Sequence, residues 1–137
     1  MNWIAGLVAG VVVYLADWIL WSKVFTTGMD AYMTQMSPEE MKKFMGPAMV
    51  WSAVLSLIFG FLFAWFYARF RGALWVQSGG PLAGMEFATA LWLPTICLAM
   101  VGGSVWYTKL RPIHMATMWA WLIRMNVAGI VVGLMVK

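Results

Sequence analysis

Charged residues are scarce in this chain. Asp, Glu, Lys and Arg make up only 10% of its 137 residues, whereas they make up about a quarter of a typical soluble domain. A single cysteine, Cys97, excludes a disulfide within the chain. The sequence also lacks a paired-carboxylate active site, a Cys/His pair at a common depth, a P-loop and a glycine-rich nucleotide fingerprint. We therefore expect a protein that is not an enzyme.

Long apolar stretches take the place of charge. Hydrophobic residues make up 64% of the chain, and a membrane-spanning helix needs about 20 mostly apolar residues. Four stretches meet this requirement, at residues 3–22, 47–68, 82–106 and 113–136. They predict a single all-α integral membrane domain over residues 1–137, built as a bundle of four transmembrane helices. Because the number of spans is even, both termini should lie on the same side of the membrane.

The first loop contains a helix start of its own. Ser37 at the N-cap, Pro38 at the first helical position and Glu40 at the third form a capping box. Met41 and Phe44 would then share one face of the helix that follows. We therefore predict a short interfacial helix in this loop, ahead of the second span.

Arg124 lies in the middle of the fourth stretch, where an unpaired charge is costly for a bilayer to hold. Asp17, in the first stretch, is its best-placed partner. The side chain of Arg124 leans toward the start of its own helix, and a rise of about 1.5 Å per residue then brings it toward the level of Asp17. The same count places Glu86 in the other leaflet. The sequence therefore predicts a buried Asp17–Arg124 pair, either as a structural contact or as part of a transport or proton-relay path.

Small residues spaced four apart mark the faces on which membrane helices approach each other closely. The second span carries such a face at Ser52, Ser56, Gly60 and Ala64. The fourth span carries Gly129 and Gly133, with Asn126, on a face roughly opposite to that of Arg124. Because a helix in a four-helix bundle needs only one buried face, this second face predicts contact with another copy of the chain or with a partner subunit.

Methionines cluster in and beside the first loop, at Met29, Met33, Met36, Met41 and Met45. Thioether sulfur is a soft ligand that selects Cu(I), so copper handling is one alternative, and adaptable filling of apolar contacts is the other. His114 could serve as an axial ligand to haem or another tetrapyrrole pigment, although haem proteins usually show a second ligand or an attachment motif. The sequence requires neither cofactor.

Basic residues flank the spans, so the net charge of +4 indicates anchoring at the lipid bilayer rather than nucleic-acid binding. On the side of the first and third loops lie Lys23, Lys42, Lys43, Lys109 and Arg111. On the other side lie Arg69, Arg71 and Lys137. The excess predicts that the first and third loops are cytoplasmic.

Several short motifs resemble those of a family of small bacterial four-span membrane proteins, the domain-of-unknown-function family numbered 1761. They are the opening Met1-Asn2-Trp3, the Trp21-Ser22 end of the first span, the Pro-Glu-Glu-Met at residues 38–41, and Arg111-Pro112 before a glycine-bearing helix. The resemblance covers nearly the whole chain. It implies a four-span fold in the bacterial inner membrane and no particular activity or site residue, and Arg124 in mid-span departs from the family's pattern.

Two functions follow from the sequence as expectations. The first is a non-enzymatic structural or accessory membrane subunit that packs with itself, as a homo-oligomer, or within a larger membrane complex. The alternative is a small transporter or channel whose polar path uses Asp17, Glu86, Arg124 and Asn126. A transporter needs these groups to be hydrated and connected, whereas a packing subunit needs them to be paired and sealed.

Overall fold

The computed structural model describes residues 2–24 and 37–137. These residues form helices and turns, with no strand among them. Four helical stretches are long and apolar enough to cross a membrane, namely Asn2–Lys23, Pro38–Ala73, Gly80–Trp106 and Thr108–Met135. The predicted all-α, four-span bundle is therefore confirmed, and its composition indicates an integral membrane protein.

Short π-helical and 3-10 turns lie within the spans or at their ends. The first span is α1 (Asn2–Ile19) with a π-helical turn (Leu20–Val24), and the second is α2 (Pro38–Phe70) with a 3-10 turn (Arg71–Ala73). The third is α3 (Gly80–Trp92), a π-helical turn (Leu93–Cys97) and α4 (Leu98–Trp106). A 3-10 turn (Thr108–Leu110) precedes α5 (Arg111–Met135), the fourth span.

The predicted capping box is present at the start of α2. The Glu40 N–H donates to Ser37 Oγ at 3.2 Å, and the Ser37 N–H donates to Glu40 Oε2 at 3.3 Å. The helix that begins there is not a separate one, however, because it continues through Pro47 to Phe70. The prediction of a distinct short helix in the first loop was therefore wrong. Proline inside a helix removes one hydrogen bond, and a turn already formed ahead of it can continue across that gap.

The first and second spans form one helical hairpin, which we call the first hairpin. Their contact is made by backbone: a Cβ built on Gly60 would collide with Gly6 O and Gly10 N of the first span. Ser56 and Ala64, one turn to either side of Gly60, are buried in the same contact. The small-residue face predicted for the second span is thus confirmed at Ser56, Gly60 and Ala64, where it serves the first span of the same chain. Ser52, the fourth predicted member, is only partly buried and lines a cavity next to the first span.

The third and fourth spans form the second hairpin in the same manner. A Cβ on Gly84 would collide with the carbonyl group of Gly129, and a Cβ on Gly133 would collide with that of Gly80. The prediction that Gly129 and Gly133 face another protomer or subunit was therefore wrong. The third span occupies this face, and the sequence pattern alone could not tell which helix would cover it.

The two hairpins meet mainly where the first span packs on the fourth. Ala9 and Val13 of α1 and Ala120 and Ala128 of α5 are buried in the core. Aromatic rings add a second line of contact between the hairpins. The ring centroids of Phe63 and Phe87 are 5.2 Å apart and those of Phe59 and Trp121 are 5.4 Å apart, in both cases edge to face. We call this boundary between the hairpins the join.

Candidate functional site

The predicted pair of opposite charges lies at the join. Asp17 stands in the last turn of α1, and Arg124 in the middle of α5. Arg124 Nη1 is 3.2 Å from Asp17 Oδ1, and the two side chains are only 10% and 21% exposed, respectively. The ion pair therefore connects the first hairpin to the second from within the membrane-spanning region.

Small residues explain why the two charges can meet. Ala120 and Ala128, one turn before and one turn after Arg124, are almost fully buried. Because neither carries a long side chain, α1 can approach α5 closely enough for a guanidinium and a carboxylate to touch. The fold thus brings together the pair that the spacing of the sequence predicts.

Aromatic side chains surround the ion pair. The guanidinium carbon of Arg124 lies 4.0 Å from the ring centre of Trp121, in a cation–π contact within the same helix. The indole of Trp21 is a hydrogen-bond donor to the Asp17 carboxylate. Sequence reasoning missed both tryptophans, although Trp121 stands three residues before Arg124, a helical spacing that places both side chains on one face. Arg124 Nε makes no hydrogen bond among the described residues.

A cavity of about 350 Å³ opens beside Asp17, between the end of the first span and the first half of the second. Its walls are mainly apolar, and its lining includes Tyr14, Trp18, Trp21, Phe44, Met45 and Met49. Among the described residues, Asp17 is the one acidic residue in its lining. One side of the ion pair therefore faces a space large enough for a small molecule, while Arg124 lies on the protein side.

Glu86 belongs to a different place in the structure. Its carboxylate accepts hydrogen bonds from the Trp75 N–H at 2.7 Å and the Val76 N–H at 2.9 Å. These bonds fasten the loop between the two hairpins onto the first turns of α3. Glu86 makes no hydrogen bond or ion pair to the Asp17–Arg124 pair in the part of the chain that the structure describes. Its contacts are those of a loop anchor.

Asn126 also serves a contact inside the chain. Its Nδ2 donates to Leu122 O of its own helix at 2.8 Å, and Thr89 Oγ1 of the third span donates to Asn126 Oδ1 at 3.4 Å. Asn126 therefore links the two spans of the second hairpin beside the Gly84–Gly129 contact. The expectation that it faces a partner subunit was wrong for the same reason as for Gly129 and Gly133.

The candidate copper and pigment ligands are only partly described. Met29, Met33 and Met36 lie outside the described residues. Met41 is half-buried, and Met45 is exposed on the wall of the cavity beside Asp17. His114 packs against Gly103 of the third span, with its ring 6.5 Å from that of Tyr107. Within residues 2–24 and 37–137, no three His, Cys, Asp or Glu side chains are grouped to hold a metal ion.

No protein-family model, curated protein or solved structure matches this chain. The resemblance to the four-span family numbered 1761 therefore stays a prediction.

Proposed function

We propose that this chain is a non-enzymatic structural or accessory membrane subunit, in which the Asp17–Arg124 pair fixes how the two hairpins dock. One observation carries the proposal. The two opposite charges at the join contact each other at 3.2 Å, and Glu86 binds loop N–H groups instead of joining them. A pair of this kind specifies neighbours, because any other docking of the hairpins leaves a charge unpaired in the membrane.

A second copy of the chain or a partner subunit would bind to the third span rather than to the fourth. Thr95, Ala99 and Gly102 share one exposed face of the third span, and a Cβ on Gly102 would meet no atom within 4 Å. Small outward-facing residues permit a second helix to approach closely. The third span is also the least buried of the four. We therefore place self-association, or contact with a larger membrane complex, on this face.

Exchange of the two charges tests the role of the ion pair. Asp17→Arg or Arg124→Asp alone should prevent recovery of a folded, monodisperse protein, and the double variant should restore it because the pair is re-formed with reversed polarity. Recovery is measured by size-exclusion chromatography after mild detergent extraction. A double variant that is as poorly folded as the single ones would contradict a neighbour-specifying pair.

Native mass spectrometry of gently extracted protein tests the accessory role. We expect a homo-oligomer or stoichiometric co-purification with other membrane subunits, and we expect Gly102→Leu to release the monomer. The same sample, examined for absorption and metal content, tests the copper and pigment alternatives. A wild-type protein that is monomeric and without partners would contradict the proposal.

The cavity beside Asp17 favours a second candidate, a small transporter. A partly exposed carboxylate in an aromatic-lined space of about 350 Å³ is suited to receive a cation or a proton. Purified protein in liposomes should then move protons or small organic cations, and Asp17→Asn should abolish the movement. The charge-exchanged double variant separates the two functions, since it restores assembly but leaves an arginine at the cavity and no flux.

A further inference from the structure

A larger cavity, of about 560 Å³, lies where the second, third and fourth spans end or begin. Tyr67 and Arg71 line it from the end of the second span, Gly79 and Gly80 from the start of the third, and Lys137 from beyond the fourth. It is separate from the cavity beside Asp17, which is lined by the opposite end of the second span.

The charged side chains that line this cavity are all basic. Arg71 and Lys137 belong to its wall, and no Asp or Glu of residues 2–24 and 37–137 does. Glu86, the acidic residue of the third span, does not line the cavity, and its carboxylate accepts hydrogen bonds from the Trp75 and Val76 N–H groups. The side chains therefore attract an anion to this end of the bundle.

The start of α3 adds backbone donors. Gly79 and Gly80 have φ angles of +73° and +80°, which side-chain-bearing residues rarely adopt. A Cβ at either position would meet no atom within 4 Å, so the backbone conformation and not crowding accounts for the two glycines. No side chain caps the helix. Pro81 has no N–H, but the other N–H groups of the first turn are left without partners inside the helix, and the helix dipole favours negative charge in front of them.

Tyr67 supplies an independent indication of a ligand. This residue is only 1% exposed, and none of the hydrogen bonds among the described residues involves its hydroxyl group. The hydroxyl oxygen is not one of the fully enclosed polar atoms that lack a partner, so it is reached from the cavity that Tyr67 lines. The Tyr67 side chain lines the cavity, and the Arg71 guanidinium is close enough to interact with it electrostatically. The hydroxyl group is therefore free to donate a hydrogen bond to an acceptor that enters the cavity.

We infer that this cavity binds a phosphoryl group. A guanidinium, an ammonium, a hydroxyl and the N–H groups of a helix start converge on it from three spans, which suits an anion with several oxygens better than a single carboxylate. The volume also accommodates more than one phosphoryl group. The phosphoryl group belongs either to an anionic lipid headgroup, which this end of the bundle could meet at the membrane surface, or to free phosphate.

The test measures lipid and phosphate binding separately. Protein is reconstituted in nanodiscs of phosphatidylcholine mixed with phosphatidylglycerol, and the phosphatidylglycerol retained per protein is counted by native mass spectrometry. Binding of inorganic phosphate is measured by calorimetry on lipid-depleted protein in detergent. Retained phosphatidylglycerol assigns the site to a lipid headgroup, whereas phosphate binding without lipid retention assigns it to the free anion. Absence of both overturns the inference.

Three variants make the result specific. Arg71→Gln should weaken binding about tenfold, and Tyr67→Phe should weaken it about threefold, since one neutral hydrogen bond is lost. Arg69→Gln is the matched control, because Arg69 is an exposed arginine two residues earlier that does not line the cavity. Equal losses from Arg69→Gln and Arg71→Gln would show general attraction to basic residues and would overturn the site.

Tyr67→Phe also separates binding from folding. Its hydroxyl makes no hydrogen bond to a described residue, and its ring contact with Phe87, at a centroid distance of 5.6 Å, is kept in phenylalanine. The variant should therefore unfold like the wild type in the absence of ligand and lose the stabilisation that added phosphatidylglycerol or phosphate gives to the wild type. Equal ligand stabilisation of both proteins would contradict a role for Tyr67 in the site.

Discussion

The contacts within each hairpin and the contacts between the hairpins are built from different chemistry. Within the hairpins, glycine backbones touch directly, at Gly60 against Gly6 and Gly10 and at Gly84 against Gly129. Between them, alanines and the Asp17–Arg124 ion pair connect the first span to the fourth, and aromatic rings of the second span contact the third and fourth spans. The contacts within the hairpins depend on close fit of backbone shape, whereas the contacts between the hairpins also include opposite charges.

The difference indicates that the two kinds of contact contribute differently to stability and to the choice of neighbouring helices. Close packing of small residues holds two helices together in lipid, but many faces of this chain carry small residues, so shape alone discriminates weakly between partners. A buried charge discriminates strongly, because a helix that lacks the opposite charge leaves it unpaired. We therefore attribute stability mainly to the glycine contacts and the choice of neighbours mainly to the ion pair.

The largest effect is expected from filling a glycine contact. Gly84→Leu places a side chain where the Gly129 carbonyl group stands, and backbone cannot move aside as a flexible side chain can. We expect a loss of at least about 3 kcal/mol in the free energy of unfolding. Denaturant unfolding in detergent micelles, followed by tryptophan fluorescence, measures it.

Gly102→Leu is the matched control for that variant. It lies on the same span, and a Cβ there would meet nothing within 4 Å. The monomeric fraction of Gly102→Leu should unfold like the wild-type monomer. If both leucine variants were equally destabilised, loss of helix packing at Gly84 could not be the cause.

The second effect is expected at the join. Asp17→Asn keeps the size of the side chain and removes its charge, so Arg124 stays buried without a counter-ion. We expect a loss of about 3 kcal/mol. As denaturant is added, the two hairpins of the variant should separate before either hairpin unfolds. Crosslinking between cysteines placed on the first and fourth spans detects this separation. Crosslinking that persists at the denaturant concentration where the wild type loses it would contradict the assignment.

Much of this architecture could be predicted from residue patterns. The four spans and the capping box at Ser37 follow from composition and local spacing, and the Asp17–Arg124 contact follows from depth in the membrane. These features are decided by the chain's own helices and by the high cost of a lone charge in lipid. Each needs little knowledge of how the helices are arranged.

Other features could not be predicted because they depend on that arrangement. Gly129 and Gly133 form a packing face on any helix, and only the bundle shows that the third span covers it. Glu86 looks like an intramembrane charge until the loop folds back and places Trp75 and Val76 beside it. The helix that begins at Pro38 continues through Pro47, although a proline inside a helix removes a backbone hydrogen bond and usually bends or ends the helix.

A smaller and more local effect is expected at Glu86, which is charged but does not belong to the join. Glu86→Gln replaces one of the two acceptor oxygens with an NH2 group, which cannot accept a hydrogen bond from the Trp75 or Val76 N–H. We expect a loss of about 1 to 2 kcal/mol and faster amide hydrogen exchange in the loop between the hairpins. Glu39→Gln is the matched control, since Glu39 is exposed and lies outside the capping-box hydrogen bonds.

The smallest effect on stability is expected from removing both charges at once. Asp17→Leu with Arg124→Met keeps apolar bulk at the join and leaves no charge unpaired, so the free energy of unfolding should stay within about 1 kcal/mol of the wild type. Specificity should nevertheless fall, because the hairpins can then dock in more than one way. Distances between spin labels on the first and fourth spans, measured by pulsed electron paramagnetic resonance, should be more broadly distributed than in the wild type. A distribution as narrow as that of the wild type would mean that the aromatic contacts suffice to choose the neighbour and that the ion pair has another purpose.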